Sequence, residues 1–290
     1  MIPKERRVQS TTWPFGGRYP EAEAWLNTGR GKLGSLWDLI IEQHELHPKT
    51  LKALGGYGEY SNAIDIDPLV WMKPDVMTRF MGKPKGLIAV MAPSAGGKDT
   101  ILRQIKSTHP DLIDIVVTHT TKPPRTEDRE GETYYFVDNT VFDTMVNEDK
   151  FAEHVPQFGR RYGTSRQAIQ ESIDAPQPIT VWRGEPIGWN RLQYELKRIH
   201  PDVPYASCFI LPEISATTLA LWILNKRGAE SPIARIEKAV MEVYAGGAME
   251  ICIVNPYQPD EGPTQATNAL ISVFTAIQRM QRTNYVSTPG

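Results

Sequence analysis

The chain lacks most of the features that would set it apart from an ordinary globular protein. It has only two cysteines in 290 residues, Cys208 and Cys252, each inside an apolar run ("YASCFIL" and "EICIVN"). That scarcity excludes a disulfide framework and leaves two thiols that read as buried small hydrophobes in a reducing cytoplasm. No apolar stretch approaches the roughly 20 residues needed to cross a bilayer, so no membrane association is expected. The opening "MIPKERRVQSTTWPFGGRYP" carries charge without the apolar core of a secretory signal. Neither sign of charge is in excess: 32 Lys and Arg stand against 34 Asp and Glu, a net charge of −2. That balance argues against a bulk electrostatic grip on nucleic acid, although a local basic pocket remains compatible with it. Internal repeats and low-complexity tracts are missing as well.

What is present is 40% apolar and 23% charged residues, enough chain for one large α/β domain or two smaller ones. Residues 1–82 differ in character from the remainder and hold Trp13, Trp25, Trp37 and Trp71, four of the seven tryptophans. Two short helices are legible there, "PEAEAWLN" with Pro20 in its first turn and "SLWDLIIEQHEL" with Ser35 as a cap. We read 1–82 as an accessory segment, mainly helical or irregular and docked on a main domain, with an independent partner-binding module as the alternative. His44 and His47 ("HELH") stand three apart without an evident third ligand, so they read as exposed helix histidines rather than a metal pair. "FMGKPKG", residues 80–86, reads as a linker.

From residue 83 to 285 strand-like and helix-like patterns alternate. "GLIAVM" is a continuous apolar run, as a strand covered on both faces should be, and "LIDIVVT", "PITVW", "ASCFIL" and "EICIVN" resemble it. Helical stretches lie between or after them: "KDTILRQIK", "NRLQYELKRI", "SATTLALWILNK", "ARIEKAVMEVY" and "TNALISVFTAIQRM". The expected fold is therefore α/β, a mostly parallel sheet with helices on both faces, and a ligand at the carboxyl ends of the strands.

The stretch "VMAPSAGGKDT", residues 90–100, joins the first of these strands to a helix. It follows the phosphate-loop pattern G-x-x-x-x-G-K-[ST] at Gly97 and Lys98 and departs from it twice. Ala92 occupies the first glycine, which matters only if that position needs a positive φ. Asp99 occupies the place of the metal-binding hydroxyl, and a carboxylate is a legitimate hard-oxygen ligand for Mg²⁺. Ser94, Ala95, Gly96, Gly97, Lys98, Asp99 and Thr100 are the candidate ATP-binding residues. Loop amides would cradle phosphate oxygens and Lys98 would reach the terminal phosphates.

Downstream, "THTTKPPRTEDREGETYYFV", "FAEH" and "RRYGTSRQAI" resemble the monophosphate-binding half of the guanylate kinase family. There a T-T-R-x-P-R segment precedes D-Y-x-F, F-x-E and Y-G-[ST]. The resemblance runs over about 84–282, most strongly as far as Arg166. It implies a P-loop kinase fold with a small nucleoside-monophosphate-binding subdomain at 118–166 and a lid at 226–236. Lys122, Arg125, Tyr134 and Tyr162 would clamp the acceptor phosphate, and Glu153 with Thr118 and Thr164 would read a guanine edge. In the lid, Arg227 and Arg235 match the catalytic arginines, while Asn255 matches a position beside the donor adenine. Lys122 replaces an arginine of the family, so a bidentate fork becomes a point charge. The family's D-x-D after the next strand is absent: here the stretch is "VWRGEP", with Trp182 readable as core packing and Glu185 as a substitute carboxylate.

The implied activity is ATP- and Mg²⁺-dependent phosphorylation of a nucleoside monophosphate, purine and guanine-like by preference, with broadened specificity. The partners implied are the monophosphate and ATP, and a homodimer is compatible with them. A sugar-phosphate kinase of the same fold and a non-catalytic binding module are the alternatives.

Overall fold

The computed structural model describes residues 67–283 except 68, 74, 127 and 257–262; between 213 and 248 it describes only Ile223, Arg235, Lys238, Ala239, Glu242 and Gly246. The two helices expected before residue 50, His44, His47, Arg227 and the side chain of Trp71 lie outside the described residues.

The chain begins with β1 (Val70–Met72) and a short helix α1 (Val76–Phe80), then alternates. The strands β2 (Gly86–Met91), β3 (Ile113–Ile115), β8 (Ile179–Gly184), β9 (Tyr205–Pro212) and β10 (Ile251–Asn255) join β1 in one sheet of order β1-β10-β9-β2-β8-β3. Every pairing in it is parallel except that of β1 with β10. The second sheet, β5-β4-β7-β6, is made from β4 (Thr118–Thr120), β5 (Tyr134–Phe136), β6 (Phe151–Gln157) and β7 (Arg160–Ser165). The helices are α2 (Lys98–Thr108), α3 (Asn139–Asn147), α4 (Arg166–Asp174), α5 (Pro186–Ile199) and α6 (Thr264–Arg282).

The two-residue period of a strand explains the layering. In β2, Ile88 and Val90 join an apolar layer with Ile101, Leu102 and Ile105 of α2 and with Leu270, Val273, Phe274 and Ile277 of α6. Leu87, Ala89 and Met91 point the other way, into a layer with Ile169 of α4 and Trp189, Leu192 and Leu196 of α5. Cys208 belongs to the first layer and Cys252 to the second, both as buried thiols outside any disulfide. Among the described residues no helix is long and apolar enough to cross a membrane.

Residues 70–80 are part of this core rather than apart from it. Val70 pairs with Ile253, and Val76, Met77 and Phe80 are buried in the first layer. A boundary at residue 82 therefore cuts through packed apolar contacts.

Sheet order places the carboxyl ends of β2 and β8 side by side, with Val90 opposite Arg183 and Met91 opposite Gly184. Between β2 and α2 the chain makes its tight turn. Gly97 has φ 89° and caps α2, and Ala95 has φ 66°. Ala92 is not among the positive-φ residues, so the missing glycine costs no backbone strain. Gly97→Ala should lower the stability measured by urea unfolding by about 1–2 kcal/mol, the cost of a side chain in the left-handed region. Ala92→Gly should gain nothing and lose up to about 1 kcal/mol through added unfolded-state entropy.

Candidate functional site

One cleft at the carboxyl ends of the strands is lined by the turn Ala92–Thr100 and, across from it, by Thr118, Tyr134, Glu153, Tyr162, Trp182, Arg183, Glu185, Arg235, Lys238 and Glu242. The candidate donor loop and most of the candidate acceptor residues thus share one space.

The loop is held from two sides. Asn255, at the end of β10 and buried, donates from Nδ2 to the Gly96 carbonyl at 3.4 Å. It braces the loop from behind and is not part of the cleft wall. The Ser94 amide donates to Glu242 Oε2 at 3.2 Å, so a carboxylate holds one of the amides expected to meet phosphate. Lys98 Nζ lies 3.1 Å from Asp99 Oδ1.

The opposite wall is built by a hairpin. Glu153 of β6 pairs directly with Thr164 of β7, which puts both side chains on one face. Ser165, next in the chain, turns its hydroxyl to the Ala168 amide and caps α4, fixing where the strand ends. The Thr164 hydroxyl donates to Glu153 Oε1 at 2.5 Å. It is free to do so because its own oxygen accepts from Trp182 Nε1 at 2.9 Å. Trp182, expected as core packing, packs in the second apolar layer while its one polar atom orients Thr164. Glu153 Oε2 is buried and has no hydrogen-bond partner among the described residues. Burial, with the nearby Glu185 charge adding to it against the Thr164 hydrogen bond, pushes the Glu153 carboxyl up to about 7.

The expected phosphate clamp is placed differently. Tyr134 and Tyr162 line the cleft, their rings 6.1 Å apart. Lys122 and Arg125 do not line it. Lys122 Nζ is drawn back to Asp128 Oδ2 at 2.5 Å, behind Tyr134, and the Arg125 side chain is exposed. Burial opposes ionisation of Asp128, yet the hydrogen bonds from Lys122 and the Arg125 amide, with both charges, bring its carboxyl below the usual value. A different cation occupies the wall: the Arg183 guanidinium lies 4.7 Å from the Tyr134 ring centre.

On the lid side, Arg235, Lys238 and Glu242 are helical residues at a spacing that shares one face. The Arg235 guanidinium stacks 4.2 Å from the Phe158 ring, at the tip of the β6–β7 hairpin. Lys238 pairs with Glu185 and lies 3.9 Å from Glu242. Glu185 is therefore committed to a lysine rather than standing as a bare substitute carboxylate. Burial pushes Glu242 up to about 7, with Lys238 opposing.

Sequence reasoning passed over Arg183, Lys238 and Glu242. The available signals were slight: an arginine closing an apolar strand, and a Lys-x-x-x-Glu pair in a helical stretch.

A family model described as Guanylate kinase matches residues 84–181. Guanylate kinase of Escherichia coli (strain K12) is 32% identical over 200 residues, covering 68% of this chain and 90% of the relative. Guanylate kinase of Thermobifida fusca (strain YX) is 31% identical over 179 residues, covering 60% and 85% respectively. A crystal structure of guanylate kinase from Anaplasma phagocytophilum superimposes with a TM-score of 0.46 at 21% identity, over 67% of this chain and 88% of that one.

The raised Glu153 carboxyl fixes the sign of a stability effect. Its folded value, about 7, exceeds the 4.5 of an ordinary glutamate, so the folded protein holds a proton the unfolded chain has lost. Stability contributed by this group is therefore greatest below 4.5 and falls as pH rises through 7. Glu153→Gln should stabilise the unliganded protein at pH 8 by on the order of 2 kcal/mol and much less at pH 5. Urea titrations at the two pH values check it; an equal effect at both contradicts it.

Proposed function

The chain belongs to the guanylate kinase family and is a nucleoside monophosphate kinase, and we propose that its acceptor is a purine nucleoside monophosphate, guanine preferred, phosphorylated by ATP. The observation that carries the choice of base is Glu153, in the wall of the cleft that holds the phosphate loop, with one oxygen engaged by Thr164 and the other without a partner among the described residues. A guanine edge offers two adjacent donors, N1–H and the 2-amino group, which an ionised carboxylate accepts together. Adenine offers an acceptor at N1 beside its 6-amino donor, and a carboxylate repels that acceptor.

A carboxyl that titrates near neutrality also supplies a route to broadened specificity. When protonated, Glu153 donates to adenine N1 and accepts from the 6-amino group. Guanine is then favoured above pH 7, and the margin narrows below it.

For the transfer itself, the loop amides and Lys98 hold the donor phosphates, while Tyr134 and Tyr162 hold the acceptor phosphate. Arg235 neutralises charge from the lid. Desolvation raises the Tyr134 phenol, which stays a donor at neutral pH. Phosphoryl transfer asks mainly for alignment and charge stabilisation, which these residues supply without a protein nucleophile. Asp99 has the donor chemistry for Mg²⁺, which takes one or two carboxylates and completes its shell with phosphate oxygens and water. Bound there, the ion would neutralise charge on the terminal phosphates.

Two measurements test the reading. In a coupled ADP-release assay across GMP, dGMP, AMP, dAMP and dTMP, GMP or dGMP should show the highest kcat/KM, and the GMP-to-AMP ratio should rise between pH 6 and pH 8.5. A dTMP preference contradicts the assignment of base. Lys98→Met should lower kcat by about a thousandfold while leaving GMP binding, measured by calorimetry, within threefold; retained turnover removes Lys98 from the role given to it.

A further inference from the structure

We propose that Arg183 is a catalytic residue of this cleft, contacting the phosphoryl group as it passes from donor to acceptor, and that Asp99 holds its guanidinium in place when no nucleotide is bound. The inference rests on the kinase reading above and extends it.

Arg183 stands at the carboxyl end of β8, level with Val90 of the strand that feeds the phosphate loop. Its side chain is only 11% exposed, so a charged group has been largely withdrawn from water at the wall of a cleft. Such burial costs several kcal/mol unless partners offset it, and those present are incomplete. Nη2 donates to the Thr133 carbonyl. The guanidinium carbon lies over the Tyr134 ring, and Nη1 is 3.8 Å from Asp99 Oδ1, close enough for ion pairing and too far for a hydrogen bond. Nε is buried with no partner among the described residues. A five-donor fork with so few donors engaged is matched to an oxyanion with several acceptor oxygens.

The place is as telling as the missing partners. Asp99 lies between two cations, Lys98 at 3.1 Å on the donor side and Arg183 at 3.8 Å on the acceptor side. Negative charge is favoured between them, and that is where a phosphate chain must run from the loop toward Tyr134. Lys122, expected to serve the acceptor phosphate, is paired with Asp128 and does not line the cleft, whereas the Arg183 guanidinium lines it beside Tyr134.

In the transfer, an acceptor phosphate oxygen forms its bond to the γ-phosphorus as the bond from that phosphorus to the β–γ bridging oxygen breaks. ADP departs with the electron pair. Arg183 neither gives nor takes a proton; its fork bridges the transferring group and the acceptor phosphate, stabilising charge that spreads over the equatorial oxygens.

The test compares wild type with Arg183→Met and Arg183→Lys. Activity is followed with ATP and GMP. Calorimetry measures affinity for ATP, for GMP, and for a linked analogue that joins adenosine and guanosine through five phosphates. Arg183→Met should lower kcat by about a thousandfold, within the range known for a transition-state arginine. It should leave each separate nucleotide within about threefold and weaken the linked analogue at least thirtyfold. Arg183→Lys should recover only part of either loss; if the Met variant fails to fold, a drop of at least tenfold in kcat for the Lys variant decides in favour. A kcat within fivefold of wild type in the folded Met variant, or unchanged affinity for the linked analogue, overturns the proposal. A wild type that binds the linked analogue but does not turn over GMP refutes the choice of guanine alone; the kcat comparison then uses the monophosphate that does turn over, and the affinity comparison still decides whether Arg183 spans the two halves. A wild type that does not bind the analogue overturns both.

Discussion

The arrangement depends on a carboxylate kept out of water. Glu153 is 6% exposed, and nothing among the described residues satisfies its second oxygen. Such a group opposes folding at neutral pH, so the surroundings must hold it in place. Trp182 spends its single N–H on Thr164, Thr164 in turn spends its hydroxyl hydrogen on Glu153, and the first turn of α5 closes over the other oxygen. At Gly188 a Cβ would lie 3.1 Å from Oε2 and 3.3 Å from the Trp182 ring, so the helix approaches closely only because that residue has no side chain. One strand from each sheet and a helix thus meet at one carboxyl group. A stability cost fixed this firmly is the pattern of a group retained for what it binds.

The same logic organises charge across the cleft. The phosphate loop carries an aspartate where a hydroxyl is usual, and the neighbouring strand ends in an arginine with no aspartate near it in "VWRGEP". Read singly, these are two losses. In three dimensions Asp99 and Arg183 face each other, and the acceptor-side lysine that would otherwise supply charge is tied to Asp128. The lid contributes a second compensated set, Lys238 between Glu185 and Glu242, with Glu242 on a loop amide. Lys98, Arg183 and Lys238 thus each stand beside a carboxylate in the cleft.

Much of this was legible in the sequence where the governing physics is local. The apolar runs of β2, β8, β9 and β10 and the periodic faces of α2, α5 and α6 came from patterning, and Gly97-Lys98 after an apolar run marked the loop. Glu153 and Thr164, eleven residues apart, meet because a hairpin joins them. Contacts that depend on sheet order could not be read this way. Trp182 reaches Thr164, and Arg183 reaches Tyr134, only once β8 is placed beside β2 and the small sheet is folded over the end of the large one. The antiparallel pairing of Val70–Met72 with Ile251–Cys252–Ile253 spans most of the chain, which is why residues 70–80 looked like part of an appendage. The pairing of Lys122 escaped the sequence for a subtler reason. Its neutralising partner, Asp128, is only six residues away, but the loop conformation that joins them has no periodic signature.

Base and phosphate of a bound monophosphate should both lie in the cleft between Glu153 and the loop at residue 97, and a crystal structure of the protein with GMP is the decisive test. The guanine N1 and 2-amino groups should sit within hydrogen-bonding distance of the Glu153 carboxylate, with the phosphate against Tyr134 and Tyr162. A guanine bound with Glu153 untouched, or a phosphate outside the cleft, would contradict it.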